Sequence, residues 1–208
     1  MKKEDLKILK LLGKGKSGIS YLADSPLGLV VFKEMHDEVV PYYEFNKNKV
    51  ELELESYEVL SNSNLHIPEL IAYNKDGNYL IKAYIEGKTI TEKLIEAPLE
   101  ENLLLEMLQL ELELKKENIN IDYFPSNFVT QNNTLYYVDY EHNPYLDEWN
   151  FSNWGIFYWL NRDGMTNYMK TNNIDSINLP GTGIPLKSDE LQTAKNNIIQ
   201  KFVNSLTL

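Results

Sequence analysis

The sequence predicts an α+β protein of two lobes: a small antiparallel sheet carrying one helix, then a mainly helical half that holds one small hairpin. Three observations predict it. The first third alternates apolar and polar residues between turn-forming clusters, as half-buried strands do. After residue 43 the apolar spacing changes to steps of three and four, the mark of an amphipathic helix. Beyond a short connector at 84–88, helical patterns dominate.

The elements follow in order. Leu6 to Leu12 alternates loosely, Ile19 to Ala23 is β-branched and aromatic, and Leu29 to Lys33 is a short buried run after the Pro26-Leu27-Gly28 turn. Three strands in a meander are the simplest solution. Between Tyr43 and Leu60 the residues Val50, Leu54, Tyr57 and Leu60 form a helical stripe among Glu51, Glu53, Glu55 and Glu58. Glu69 to Tyr73 and Tyr79 to Tyr84 flank Asn74-Lys75-Asp76-Gly77, a hairpin signal. Thr89 and Glu92 have capping-box spacing and open a helix, and Pro98 is expected to open a longer one through Leu103, Met107 and Leu114 to the basic turn at Lys116. An irregular stretch over 117–127 precedes a hairpin of Phe128 to Thr130 and Leu135 to Val138. Trp149 to Leu160 reads as one buried aromatic helix, 171–185 as loop, and Ser188 to Leu206 as a closing helix. The organisation expected is a first lobe at 1–83, a hinge at 84–88 and a second lobe at 89–208, with a ligand cleft between the lobes.

Composition narrows the function. Of the 208 residues, Lys and Arg number 20 against 31 Asp and Glu, a formal charge of −11. Phosphate backbones are bound by clustered cations, so nucleic acid is disfavoured as the partner. Arg162 is the sole arginine, which nearly excludes bidentate arginine recognition. The absence of cysteine removes disulfides, thiolate metal sites and cysteine nucleophiles, and fits a reducing cytoplasm. The longest apolar run, Leu27 to Phe32, is interrupted by Gly28 and far too short for a membrane span. His36 and His66 lack ligand spacing, so zinc is not expected.

The chemistry-bearing motif is Gly13-Lys14-Gly15-Lys16-Ser17-Gly18, between the first two strand candidates. Such a pattern also marks dinucleotide-binding turns, but those open a helix, whereas Ile19 to Ala23 continues as strand. A glycine-rich hairpin over nucleotide phosphates fits that context, and a merely flexible hairpin is the bland alternative. Val30-Val31-Phe32-Lys33 then ends the third strand candidate on a lysine, and the next helix offers Glu53. Asn120-Ile121-Asp122-Tyr123-Phe124-Pro125-Ser126-Asn127 sets an aspartate five positions before an asparagine, and Val138-Asp139 follows the hairpin. In these five elements, over residues 6 to 160, the chain resembles the protein-kinase-like superfamily.

The resemblance implies roles. Lys33 would contact the α- and β-phosphates of ATP and Glu53 would hold its ammonium; Glu51 and Glu55 fit the family spacing to Leu60 less well. Gly13, Lys14, Gly15, Lys16, Ser17 and Gly18 would cover the phosphates, with the backbone of Ala83 and Ile85 against the adenine edge. Asp122 would take the proton of the attacking hydroxyl, and Asn127 and Asp139 would hold Mg²⁺. Glu141, His142 and Asp147, with Tyr145 and Trp149, would line the acceptor side by position. Taken singly, each of these residues has an ordinary structural use, as a strand-end lysine, a solvated helix glutamate or a turn-forming Asp or Asn.

The pattern also departs from the family. Asn120 stands where histidine is usual, so the bracing of the loop is altered, and Ile121 replaces the arginine of kinases switched by activation-loop phosphorylation. Phe124 replaces a lysine or histidine, Lys82 an apolar residue behind the adenine pocket, and Tyr140-Glu141 a Phe-Gly pair. The charge of Lys82 is expected to reach solvent or a carboxylate. Only 69 residues follow Asp139, without Ala-Pro-Glu, which points to the compact bacterial-type branches similar to aminoglycoside, choline, lipopolysaccharide and Bud- or Rio-type kinases. The function implied is an ATP- and Mg²⁺-dependent phosphotransferase, serine/threonine-kinase-like, acting on a protein hydroxyl or a small cationic molecule. The alternative is a pseudokinase that serves as a binding module.

Overall fold

The alternation of the first third becomes a five-stranded antiparallel sheet in the computed structural model, which describes residues 1–36, 38 and 47–206. Strands β1 (Lys7–Lys14), β2 (Gly18–Ser25) and β3 (Gly28–Met35) form the expected meander. Strands β4 (Leu70–Asn74) and β5 (Tyr79–Ala83) form the expected hairpin, and the spatial order is β1-β2-β3-β5-β4. β3 is therefore central and buried from Val30 to Lys33, whereas β1 is an edge exposed along its whole length.

The pleat decides which side chains meet. Phe32 pairs with Ile81 and Val30 with Ala83 on one face, where Ala23, Val30, Phe32, Tyr79 and Ile81 form a small core covered by Met1 and Leu6. On the other face Lys33 pairs with Leu80 and Val31 with Lys82. Successive residues alternate faces, so both lysines point inward together. Helix α1 (Lys49–Ser61) covers that inner face through a core of Met35, Val50, Leu80 and Tyr140. Asn48 caps it by accepting from the Val50 and Glu51 amides, and residues 43–46 of the expected helix lie outside the described residues. The fully buried apolar pair of its stripe is Val50 and Leu60, while Glu53 and Ser56 take the buried positions between them; Leu54 and Tyr57 flank it half-buried.

The chain leaves β5 through 84–87 into β6 (Lys88–Thr89) and α2 (Ile90–Glu96). A Cβ at Gly87 would sit 2.1 Å from the Thr130 carbonyl oxygen, so only glycine lets the connector cross there. Thr89 accepts from the Glu92 amide while Glu92 reaches back to the Thr89 amide, the expected capping box. Helix α3 (Glu101–Lys116) begins three residues after Pro98 rather than on it. The proline disfavours helical backbone at Ala97, which is extended and ends α2, and 98–100 are needed to turn the chain.

Beyond α3, β7 (Ile119–Asn120) leads to the irregular loop, then to the hairpin of β8 (Phe128–Gln131) and β9 (Thr134–Tyr137), and β10 (Asn143–Pro144) pairs back on β7. β6 joins β8 and β9 in a three-stranded sheet. The aromatic stretch is not one helix. It divides into a tight turn at 147–149, a wide π-type turn at 151–155 and the short α4 (Ile156–Leu160). Buried Asn150 accepts the Asn153 amide and buried Glu111 accepts the Ser152 amide and hydroxyl, which starts the chain afresh in mid-stretch. Asn161 caps a further helix, α5 (Arg162–Thr171), that the apolar pattern does not announce, and α6 (Asp189–Ser205) closes the lobe as expected, with Ser188 at its N-cap. Arg162 donates to the carbonyls of Ile95 and Glu96 at the end of α2.

The main core lies in this lobe. Trp159 packs edge-on against Phe128 and Phe151, each at 5.2 Å, and its indole N–H donates to the Tyr123 carbonyl at 2.8 Å. Among the described residues no helix is long and apolar enough to cross a membrane. The capping box sits where the connector enters this lobe. Thr89→Ala is expected to lower stability by about 1 kcal/mol and the melting temperature by about 2–4 °C, with Thr89→Ser restoring both in thermal denaturation.

Candidate active site

β3, α1 and the segment after β9 converge on one ammonium. Lys33 Nζ lies 2.5 Å from Glu53 Oε1 and 3.0 Å from Asp139 Oδ1. Lys33 and Glu53 are buried, whereas Asp139 opens to the space between the lobes. Burial alone would lower the Lys33 ammonium, but the charge of Asp139, then that of Glu53, outweighs it and raises it well above the lysine range. Burial likewise works against the Asp139 carboxylate, yet Lys33 and Lys82 pull it down to about 2. Ser17 Oγ donates to Glu53 Oε1 at 3.2 Å, while Glu53 Oε2 is buried with no hydrogen-bond partner among the described residues.

The glycine turn roofs this pair. The Gly15 amide donates to the Gly18 carbonyl at 2.9 Å. A Cβ at Gly18 would come within 2.7 Å of the Glu34 carbonyl oxygen, so β2 can approach β3 only because it starts on glycine. A Cβ at Gly13 would meet nothing within 4 Å, since that part of the turn stands over open space. Lys16 reaches across to Glu141 at 2.5 Å, tying the turn to the other lobe, and Lys14 pairs outward with Glu38.

Below the turn lies a cleft of about 1090 Å³, lined by the glycine turn, Val31, Lys33, Lys82, Ala83, Ile85, Asp122, Asn127, Asp139 and Glu141. Its size suits a nucleotide-sized ligand. The Ala83 amide is engaged by the Glu69 carbonyl at 2.8 Å, whereas the Ile85 backbone has no partner among the described residues. Asp122 faces the cleft and accepts from the Phe124 amide at 3.0 Å. Burial raises its carboxyl, the Phe124 amide opposes, and Glu141 and Asp139 add to the rise, the direction that makes a carboxylate a better base.

Two residues outside the expected set hold this loop. Tyr137, fully buried, accepts from the Asp122 amide at 3.4 Å and donates to the Glu141 carbonyl at 3.1 Å. The Val138 amide donates to the Asn127 carbonyl at 2.8 Å. A tyrosine at a strand end carries no sequence signal of this bridge. Asn120 is buried and donates to the Trp149 carbonyl at 3.1 Å, bracing the loop from the other side.

His142 and Asp147 do not join the cleft. His142 Nδ1 lies 2.9 Å from Ser56 Oγ in a small recess beside α1 that shares Lys16, Ser17, Asp139 and Glu141 with the cleft. Asp147 pairs with Lys115 at 2.9 Å on the surface of the second lobe, together with Tyr145 and near the exposed Trp149. Glu141 lines the cleft but is engaged by Lys16. Lys82, almost wholly buried at the cleft wall, pairs with no carboxylate among the described residues, contrary to expectation: its ammonium donates to the Val138 carbonyl and lies 4.5 Å from the Tyr140 ring. Burial, then the Lys33 charge, lowers it to about 8.

A metal would meet oxygen donors here. Asn127 Nδ2 donates to the Asp122 carbonyl at 3.3 Å, leaving Oδ1 available, and Asp139 Oδ2 has no partner among the described residues. The described residues contain no cluster of three or more His, Cys, Asp or Glu arranged as a metal cage. Mg²⁺ brought with phosphates needs only one or two protein oxygens, which this pair can supply.

No family model and no curated protein matches the sequence. Among solved structures, the chain is similar to the Mycobacterium tuberculosis PknI kinase domain, with a TM-score of 0.47, 18% identity, and 67% of this chain and 60% of that one covered. It is similar also to a mutant form of that domain, with a TM-score of 0.48, 17% identity, and 65% and 59% covered. The chain spans about three fifths of the length of these kinase domains. Its own order of elements, a five-stranded sheet with one helix, a connector and a mainly helical lobe, is the bilobal α+β arrangement expected.

The buried polar groups can be tested one at a time. Tyr137→Phe leaves the Asp122 amide and the Glu141 carbonyl unpaired and is expected to cost about 1–3 kcal/mol in denaturant unfolding. Lys82 titrates near 8 folded against 10.5 ordinarily, so between those values the unfolded chain holds more protons and stability rises with pH. Lys82→Met is expected to remove that rise, about 3 kcal/mol across the window, when wild type and variant are unfolded in parallel from pH 7 to 10.5.

Proposed function

We propose that the chain is a Mg²⁺-dependent phosphotransferase that moves the γ-phosphoryl group of ATP to a hydroxyl. The observation that carries this reading is the Lys33 ammonium, fixed by Glu53 from one lobe and Asp139 from the other beneath the glycine turn. Phosphoryl transfer gains most from positioning and charge neutralisation, and these groups supply both. Lys33 would hold the α- and β-phosphates, Glu53 would keep it aimed, and the backbone of 13–18 would cover the triphosphate.

In the transfer, the acceptor oxygen bonds the γ-phosphorus, the bond from that phosphorus to the bridging oxygen breaks, and ADP leaves. Asp122 would take the hydroxyl proton. When bound by Asn127 and Asp139, Mg²⁺ would neutralise charge on the phosphate oxygens. Residues 1–83 and 89–208 would act as lobes about a hinge at 84–88, with Ala83 and Ile85 against the base. The proposed acceptor is a protein serine or threonine or a small cationic molecule, drawn by the acidic groups beside Asp122, and the lack of cysteine suits a cytoplasmic setting.

One observation favours a second reading, a nucleotide-binding module without turnover. Phe124, where a cation would assist the γ-phosphate, packs edge-on against Tyr158 at 5.2 Å and Tyr168 at 6.4 Å. Labelled ATP with a panel of proteins, aminoglycosides, choline and sugars decides between them. Asp122→Ala is expected to reduce transfer by about 10²–10⁴-fold, while ATP with Mg²⁺ still raises the melting temperature. Stabilisation without transfer by wild type favours the second reading, and absence of both sinks each.

A further inference from the structure

Lys82 contacts none of the proposed catalytic groups, yet it lines the cleft beside the connector. We propose that Lys82 selects the purine: its ammonium donates to an oxygen at ring position 6, so the site takes GTP and ITP at least as well as ATP. The inference rests on the phosphotransferase reading, which sets the base against the connector.

Three observations carry it. Lys82 directly precedes Ala83 on β5 and points inward opposite Val31, which lies two positions before Lys33 on β3. Two strand residues span about 7 Å, so the triphosphate stays with Lys33 and the glycine turn while Lys82 falls to the base. Lys82 is 4% exposed, and it has no ion-pair partner among the described residues; its one hydrogen bond goes to the Val138 carbonyl. An ammonium carries three N–H donors and no acceptor; one goes to the Val138 carbonyl and the Tyr140 ring takes one side, which leaves a donor for a ligand.

The consequence for the base is chemical. Adenine presents an amino group at position 6, a donor that meets a donor-only ammonium unfavourably. Guanine and hypoxanthine present a carbonyl oxygen there, which accepts. Their N1–H also supplies a donor for a connector carbonyl. A buried group built to make one hydrogen bond discriminates strongly against the analogue that cannot complete it.

The test is calorimetry on the full chain with Mg²⁺ and non-hydrolysable analogues of ATP, GTP and ITP, using wild type, Lys82→Met and Lys82→Gln. Wild type is expected to bind the GTP and ITP analogues at least as tightly as the ATP analogue. Lys82→Met is expected to shift the ratio about tenfold toward ATP, and Lys82→Gln, whose amide both donates and accepts, to fall between. If Lys82→Met does not fold, the Gln variant supplies the ratio. Binding with a strong ATP preference in wild type, or with the same ratio in the variants, overturns the assignment of Lys82 and leaves the phosphotransferase reading standing. Folded wild type that binds none of the three overturns both.

Discussion

A lysine ammonium buried between two carboxylates is the constraint around which the molecule is arranged. Taken from water alone, such a charge is prohibitively costly, and it is tolerated only where its partners are held in place. Lys33 obtains one partner from α1 and the other from the segment after β9. The apolar contacts of Met35, Val50, Leu80 and Tyr140 dock the helix at that point, so the small inner core and the ion pair specify each other. Glu53 occupies a position in the helix stripe that an apolar residue would normally fill. Its Oε1 meets Lys33 and Ser17, while Oε2 has no hydrogen-bond partner among the described residues.

The same constraint explains how an acidic chain sets cations around its cleft. The formal charge of −11 would repel a triphosphate at long range, but salt screens that field within about 8–10 Å and local cations govern at contact. Lys14, Lys16, Lys33 and Lys82 all line the cleft. Lys16 is drawn toward Glu141 and Lys33 toward Asp139, so the two lobes are joined by charge pairs that also form the floor and lip of the site. Lys82 is the outlier, a cation held by a carbonyl and a ring face instead of a carboxylate.

Much of this was legible in the sequence because spacing and pleat are local. Residues 31, 33 and 82 share a face by period two, and Glu53 separates from its neighbours by period 3.6: Glu51 pairs with Lys75 and Glu55 with Lys47 at the surface, while Glu53 turns inward. Nearness along the chain proved a poor guide elsewhere. Asp147 follows Asp139 closely, but the β10 pairing with β7 carries the chain on to Lys115, while His142, just before β10, turns to Ser56 in the recess beside α1. The aromatic stretch failed as one helix because side chains of Asn150 and Glu111 compete for its backbone amides, a tertiary contest that periodicity does not register. Helix α5 escaped for a related reason: it starts on an Asn161 cap after a break and buries little beyond Met165.

The Asp122 loop is braced by buried side chains on both sides. The loop is held by Asn120, which donates to the Trp149 carbonyl, and by Tyr137, which bridges the Asp122 amide and the Glu141 carbonyl. Phe124 is locked by two tyrosines on the remaining side. Each of these contacts is neutral and mostly buried, the charge of the loop being that of Asp122, which accepts from the Phe124 amide, and Ile121 offers no cation beside it. The loop geometry is therefore set by packing and fixed hydrogen bonds already present in the folded chain.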